Sequence, residues 1–184
     1  DYQHLIDDPD LAPLRTDPRF GALTEPLRLV GDYLFVLRNA AAYNTADTRF
    51  DPVFTYQKAD KPELEALRQR FRLDSVAGTG SDVSQVLNVL HWVHERIPHD
   101  GEHGNPETRN AAAMLDVCRT EHRGLNCRGL ALVLNECYLS LGFSSRLVTC
   151  LPKDSLGIDP DCHVINAVFV PSLDKWIWVD PTYD

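Results

Sequence analysis

The segment Gly124-Leu125-Asn126-Cys127-Arg128-Gly129-Leu130-Ala131 runs from a glycine into a predicted helix with a cysteine in its first turn. The opening backbone N–H groups of a helix have no partner within it and carry a partial positive charge. A thiol placed there has its thiolate form stabilised and becomes a better nucleophile. The same N–H groups can donate to an oxyanion formed on an attacked carbonyl. Cys127, Leu130, Leu134, Cys137 and Leu141 fall on one helical face, so the thiol sits where a buried stripe meets the helix end. The plainer alternative is one more small buried hydrophobe among five cysteines.

Two further residues could work with that thiol. In Asp161-Cys162-His163-Val164-Ile165-Asn166-Ala167-Val168-Phe169 a polar loop feeds a predicted strand whose first residue is His163. There the backbone is fixed while the ring can reach a cleft, although strand-end histidines often serve structure or solvent. In Trp176-Ile177-Trp178-Val179-Asp180-Pro181-Thr182 a second strand follows the turn Pro171–Lys175. An antiparallel hairpin returns Asp180 toward the end where His163 begins. A carboxylate there can accept from the imidazole, fix its tautomer and stabilise the imidazolium. Asp180 also reads as an ordinary turn-forming Asp-Pro. Asp159 and Asp161 are rival partners in the preceding loop, and Cys162 should point away from the face that His163 uses.

Taken in order, Gly124 to Leu147, Cys162 to Phe169 and Trp176 to Thr182 resemble the transglutaminase-like superfamily of bacterial type: a Gly-x-Cys helix, a His strand and a Trp-x-x-Asp-Pro-Thr strand end. The glycine stands one residue further upstream than in the tightest form of the motif. Trp92 to Asp100 and Asn105 to Leu115 resemble the segments leading up to the nucleophile. The likeness covers Ser81 to Asp184. It implies a papain-like α+β fold, a Cys127-His163-Asp180 catalytic triad and acyl transfer from amides through a thioester. It further implies a second oxyanion donor on a side chain ahead of the nucleophile; Trp92, Asn110 and Asn126 are candidates, and Trp92 reads equally as core. The substrate expected is a protein or peptide, with hydrolysis favoured over cross-linking. The same superfamily holds proteases, amidases, cross-linking enzymes and inactive scaffolds, so a non-catalytic binding module is the alternative.

These residues need elements to hold them. Leu27, Val30, Leu34 and Leu37 predict one helix over Leu23–Tyr43, and Thr45–Asp60 reads as a loop. Pro62–Leu73 reads as a helix with Leu64, Leu67 and Phe71 inward. Ser81 should cap a helix to Ile97 that buries Val83, Val86, Leu87, Leu90 and Val93. Asn105-Pro106-Glu107 predicts a helix start running to about Cys118. The helix Cys127–Leu141 should close at Gly142. Strands follow at Arg146–Leu151, His163–Val170 and Trp176–Val179. Helices first and consecutive strands afterwards indicate an α+β fold with an antiparallel sheet. We expect an N-terminal helical segment over residues 1–60 and a catalytic core over 61–184.

Composition narrows the rest. A formal net charge of −9 argues against nucleic acid as partner, and Arg68, Arg70 and Arg72 read as the solvated face of a helix. No apolar run approaches a membrane span. His91, His94, His99, His103 and His122 cluster in sequence, and His91 with His94 could share a metal. Without an HExxH motif we expect surface residues, some at the cleft mouth, with no metal and no cofactor. Cys150 and Cys162 could pair in an exported protein. The start at Asp1 without Met suggests a removed leader, tag or upstream domain and mildly favours a secreted, periplasmic or cell-surface location. The stop at Asp184 suggests further residues downstream. Oligomeric state is not legible.

Overall fold

Asp17 and Asp32 cut the N-terminal part of the chain into short helical pieces. In the computed structural model, residues 2–41, 53–152, 158 and 162–184 are described. They form two compact units, Asp1–Val53 and Phe54–Asp184. The first holds helices Tyr2–Asp7 (α1), Pro18–Thr24 (α2), Arg28–Gly31 (α3) and Tyr33–Arg38 (α4), with 3₁₀ turns at Pro9–Leu14 and Glu25–Leu27. The single helix expected over Leu23–Tyr43 does not form. Pro26 has no N–H to donate and tightens the chain into a 3₁₀ turn. Asp32 then accepts from the Phe35 N–H and caps a new helix. Leu27, Val30, Leu34 and Leu37 are exposed instead of sharing a buried face. Tyr43 and the first part of the Thr45–Asp60 loop lie outside the described residues; residues 53–58 form no regular element.

The second unit holds helices Pro62–Phe71 (α5), Leu73–Ala77 (α6), Asp82–Arg96 (α7), Ala111–Glu121 (α8) and Cys127–Ser140 (α9). Strands Ser145–Cys150 (β1), His163–Val170 (β2) and Lys175–Val179 (β3) follow. Pro62 opens α5, and Leu64 and Leu67 are buried from it. Arg68 pairs with Asp74 and Arg70 with Asp116, so these two arginines hold α5 to its neighbours rather than merely facing water. The Ser81 hydroxyl accepts from the Ser84 N–H and starts α7. That helix buries Val86, Val89, Leu90 and Val93, while Leu87, expected inward, faces solvent.

The helix expected from Asn105 begins six residues later. Asn110, not Asn105, accepts from the Ala113 N–H and caps α8. Asn105 is unavailable as a cap because its carboxamide is bonded to Asn126.

Helix α9 packs against α5, α7, α8, β1 and β2, which is why most of its residues are apolar. Two buried side chains tie it to its neighbours. The buried Tyr138 hydroxyl donates to the Val86 carbonyl of α7 at 2.9 Å. The buried Asn166 amide donates to the Ala131 carbonyl at 2.9 Å, joining the first turns of α9 to β2. A buried amide without such a partner would cost about 1–3 kcal/mol. Gly142, with φ of +88°, lets the chain leave α9 in a left-handed conformation.

The sheet is antiparallel in the order β1-β2-β3. Val164 to Val168 in the central strand are all buried, the continuous form of the pattern and not the alternating one. Asp174, in the left-handed region, closes the turn into β3. Cys150 is the register partner of His163, and Asn166 that of Val179. Asp180 therefore leaves the sheet near the end at which His163 enters it.

Candidate active site

Two clamps hold the approach to Cys127. On one side the Leu125 N–H donates to the Pro98 carbonyl at 3.1 Å and the Asp100 N–H to the Leu125 carbonyl at 2.8 Å, a parallel bridge pairing His99 with Leu125. Gly124 is needed for this approach: a Cβ there would lie 2.3 Å from the Pro98 carbonyl oxygen. On the other side the Asn126 N–H donates to Asn105 Oδ1 at 3.2 Å. The Asn126 side chain caps α9 by accepting from the Gly129 N–H at 3.2 Å. With the Leu130 N–H bonded to the Asn126 carbonyl, the N–H groups of Cys127 and Arg128 are first-turn donors with no hydrogen-bond partner among the described residues.

His163 Nε2 and Asp180 Oδ2 are hydrogen-bonded at 2.6 Å, both groups half-buried. The other carboxylate oxygen, Oδ1, accepts from the Thr182 N–H at 2.9 Å. Helix α7 braces the segment that carries Asp180. His94 Nδ1 bonds the Pro181 carbonyl at 3.1 Å and His91 Nδ1 bonds Asp184 Oδ2 at 2.7 Å. The Asp184 carboxylate raises the pKa of His91 above the ordinary histidine value by that hydrogen bond. These two histidines, a metal pair on sequence spacing, thus serve as struts. Among the described residues no group of His, Cys, Asp and Glu is arranged to hold a metal ion.

Cys127 and His163 line one cleft of about 700 Å³, together with His99, Asn126, Arg128 and Tyr183. The Tyr183 ring lies 5.9 Å from the His163 ring. Among the described residues Arg128 is the cleft's one Lys or Arg, and none of its lining residues is a carboxylate.

The structure brings Cys127, His163 and Asn126 to this cleft and sets Asp180 behind the imidazole. It does not bring Trp92 or Asn110 there. Trp92 packs edge-on against Phe71 and under the Arg96 guanidinium, beside a different surface hollow that includes Asn88 and Glu95. Asn110 is spent on capping α8. Cys162 is a correction: it lines the same cleft as Cys127, with its sulfur 4.0 Å from an Arg128 nitrogen. Strand alternation does not govern it, because β2 begins one residue later. Cys150 lines the cleft too. All five cysteines are free thiols. Asp159 and Asp161, the rival partners of His163, lie outside the described residues.

Sequence reading missed Asn105 as a clamp, His91 and His94 as struts, and Tyr183 and Arg128 as cleft walls. Only Tyr183 and Arg128 had a signal, through their closeness in sequence to Asp180 and Cys127. The other contacts join residues 21, 93 and 87 positions apart, a separation that local pattern does not reveal.

Comparison with known proteins gives the family and the fold. Residues 69–181 match the family described as the transglutaminase-like superfamily. The chain belongs to that superfamily. A crystal structure from Cytophaga hutchinsonii, described as a "Putative Cysteine Protease", superposes with a TM-score of 0.50 at 18% identity. The match covers 80% of this chain and 47% of that one, so the chain spans about half of that protein's length. At this identity the likeness establishes the papain-like, transglutaminase-core fold. No curated protein sequence matches the chain. Among the described residues no helix is long and apolar enough to cross a membrane.

Proposed function

We propose that the chain is a cysteine-dependent amide hydrolase or acyltransferase acting on protein or peptide substrates. One observation carries the reading: a thiol at a helix start and an imidazole line one cleft, and one nitrogen of that ring, Nε2, is bonded to a carboxylate. In this scheme His163 Nδ1, the nitrogen that Asp180 leaves free, takes the Cys127 proton. The thiolate attacks the carbonyl carbon, and the oxyanion is received by the Cys127 N–H. His163 then gives its proton to the departing amine, leaving a thioester on Cys127. Water, deprotonated by His163, attacks the thioester and releases the acid, with the proton returning to the thiolate. An amine in place of water gives transfer. Hydrolysis is the favoured outcome, since water is the default acceptor unless the cleft excludes it.

The test is acylation by p-nitrophenyl acetate together with hydrolysis of casein. Release of p-nitrophenolate that disappears in Cys127→Ala supports the reading. Equal rates for both proteins, with slow and uniform alkylation of the thiols, leave a binding scaffold on the same fold.

A further inference from the structure

We infer that Asn105 is a positioning residue that aims the Asn126 side-chain N–H group into the cleft as the second oxyanion donor. The inference rests on the acyl-transfer reading of Cys127.

The orientation of both carboxamides follows from hydrogen-bond bookkeeping. The Asn126 backbone N–H can only donate, and it points at one end of the Asn105 side chain at 3.2 Å. That end is therefore the oxygen Oδ1, and the other end is the donor Nδ2. Asn105 Nδ2 lies 2.6 Å from the Asn126 side chain, so the Asn126 atom facing it must be an oxygen. The Gly129 backbone N–H, also only a donor, points at that same atom at 3.2 Å. Two independent donors thus fix Oδ1 of Asn126 on the helix side. Its Nδ2 is left on the other side, with no hydrogen-bond partner among the described residues, in a residue that lines the cleft beside Cys127.

The fit around this pair is close. A Cβ on Gly129 would stand 2.5 Å from Asn105 Oδ1, so the glycine two residues after the nucleophile keeps room for the clamp. The bridge of Leu125 to Pro98 and Asp100 fixes the chain just before it. An oxyanion hole needs donors that are already aimed before charge develops. Asn126 Nδ2 and the Cys127 backbone N–H belong to adjacent residues on one clamped turn. Trp92 and Asn110, the other side chains ahead of the nucleophile considered for this role, are engaged elsewhere.

The experiment compares two reactions of the same thiol. Acylation by p-nitrophenyl acetate builds an oxyanion; alkylation by iodoacetamide needs the thiolate but builds none. The ratio of their rates at one pH cancels changes in thiolate fraction and in access to the sulfur. In Asn105→Asp the acceptor for the Asn126 N–H remains, and the donor that orients the Asn126 carboxamide is lost. In Asn126→Ser an oxygen able to cap α9 remains, and the side-chain amide donor is lost. The expected result is a fall of at least about tenfold in the acylation-to-alkylation ratio for each variant, with no further fall in the double variant. Should Asn105→Asp not fold, Asn126→Ser carries the test alone. An unchanged ratio in either folded variant, or losses that multiply in the double variant, overturns the assignment while a wild type that acylates keeps the underlying reading intact. A wild type that acylates no faster than Cys127→Ala overturns both.

Discussion

His163 and Asp180 meet through a single pair of atoms, Nε2 and Oδ2 at 2.6 Å, while the second carboxylate oxygen is held by the Thr182 N–H. That division of labour makes the pair directional. The Thr182 N–H requires an acceptor, so one oxygen is committed to the backbone and the other to the ring.

Asp180→Asn exploits this arrangement. The Thr182 N–H selects the amide oxygen of the asparagine, which turns the amide nitrogen toward His163 Nε2. The ring must then accept at Nε2 and carry its proton on Nδ1, the tautomer that cannot receive the Cys127 proton. On the proposed mechanism kcat for p-nitrophenyl acetate or peptide hydrolysis falls by up to about 10⁴-fold, the size of the corresponding change in Ser-His-Asp enzymes. KM stays within a few-fold, because no substrate contact is removed. A loss below tenfold at unchanged melting temperature would show that Asp180 merely closes a turn.

Alkylation should discriminate among the five thiols. Cys127 lines the cleft at a helix start, whereas burial pushes the Cys118 and Cys137 thiols up and shields them. With iodoacetamide at pH 7 on the folded protein, mass spectrometry should find Cys127 modified first and Cys137 only after unfolding. Cys150 and Cys162 share the cleft and should follow Cys127. Modification of Cys137 at a rate comparable with Cys127 would contradict the packing described for α9.

Gly124→Ala tests the backbone clamp. The added methyl meets the Pro98 carbonyl oxygen at 2.3 Å and Asp100 Cβ at 2.8 Å, and neither contact can be relieved by rotating a flexible side chain. Separating the two segments breaks the bonds between Leu125 and Pro98 and Asp100. A destabilisation of about 1–3 kcal/mol is expected, measured by urea unfolding. The variant that remains folded should also lose acylation rate, since Cys127 follows this bridge by two residues. Wild-type stability in Gly124→Ala would mean that the bridge yields freely.

The sequence made the polar and apolar periods of the second unit readable because each element there carries its own signal. Ser81 caps, Pro62 opens, Gly142 closes, and the Cys127 helix and the His163 strand have apolar content that only burial explains. Asn105 shows the limit. Its Asn-Pro-Glu context satisfies every local rule for a helix start, yet a tertiary bond to Asn126 claims the side chain and passes the cap to Asn110. The Leu27–Leu37 stripe failed for a different reason: helical spacing was present, but Pro26 and Asp32 break the backbone on which the period depends. In the candidate site, the order of Cys127, His163 and Asp180 along the chain was visible, whereas the struts from His91 and His94 depend on pairings across the fold.

Glu136 gives a pH-dependent prediction outside the cleft. It lies on α9 and accepts from the Ala111 N–H at 2.8 Å, at the start of α8. Burial raises its pKa above the ordinary carboxylate value, and the Ala111 hydrogen bond opposes this only in part. The folded state therefore binds the Glu136 proton more tightly than the unfolded state does. Its contribution to stability is full below the unfolded value of about 4.3 and is lost as pH rises through the raised folded value. Glu136→Gln keeps an acceptor for the Ala111 N–H and carries no charge to desolvate. The variant should melt higher than the wild type at pH 8, and the difference should shrink toward pH 4. Other carboxylates titrate alike in both proteins, so the difference isolates this group. A gap of opposite sign at pH 8 would show that the charged bond to the start of α8 outweighs the cost of burying the carboxylate.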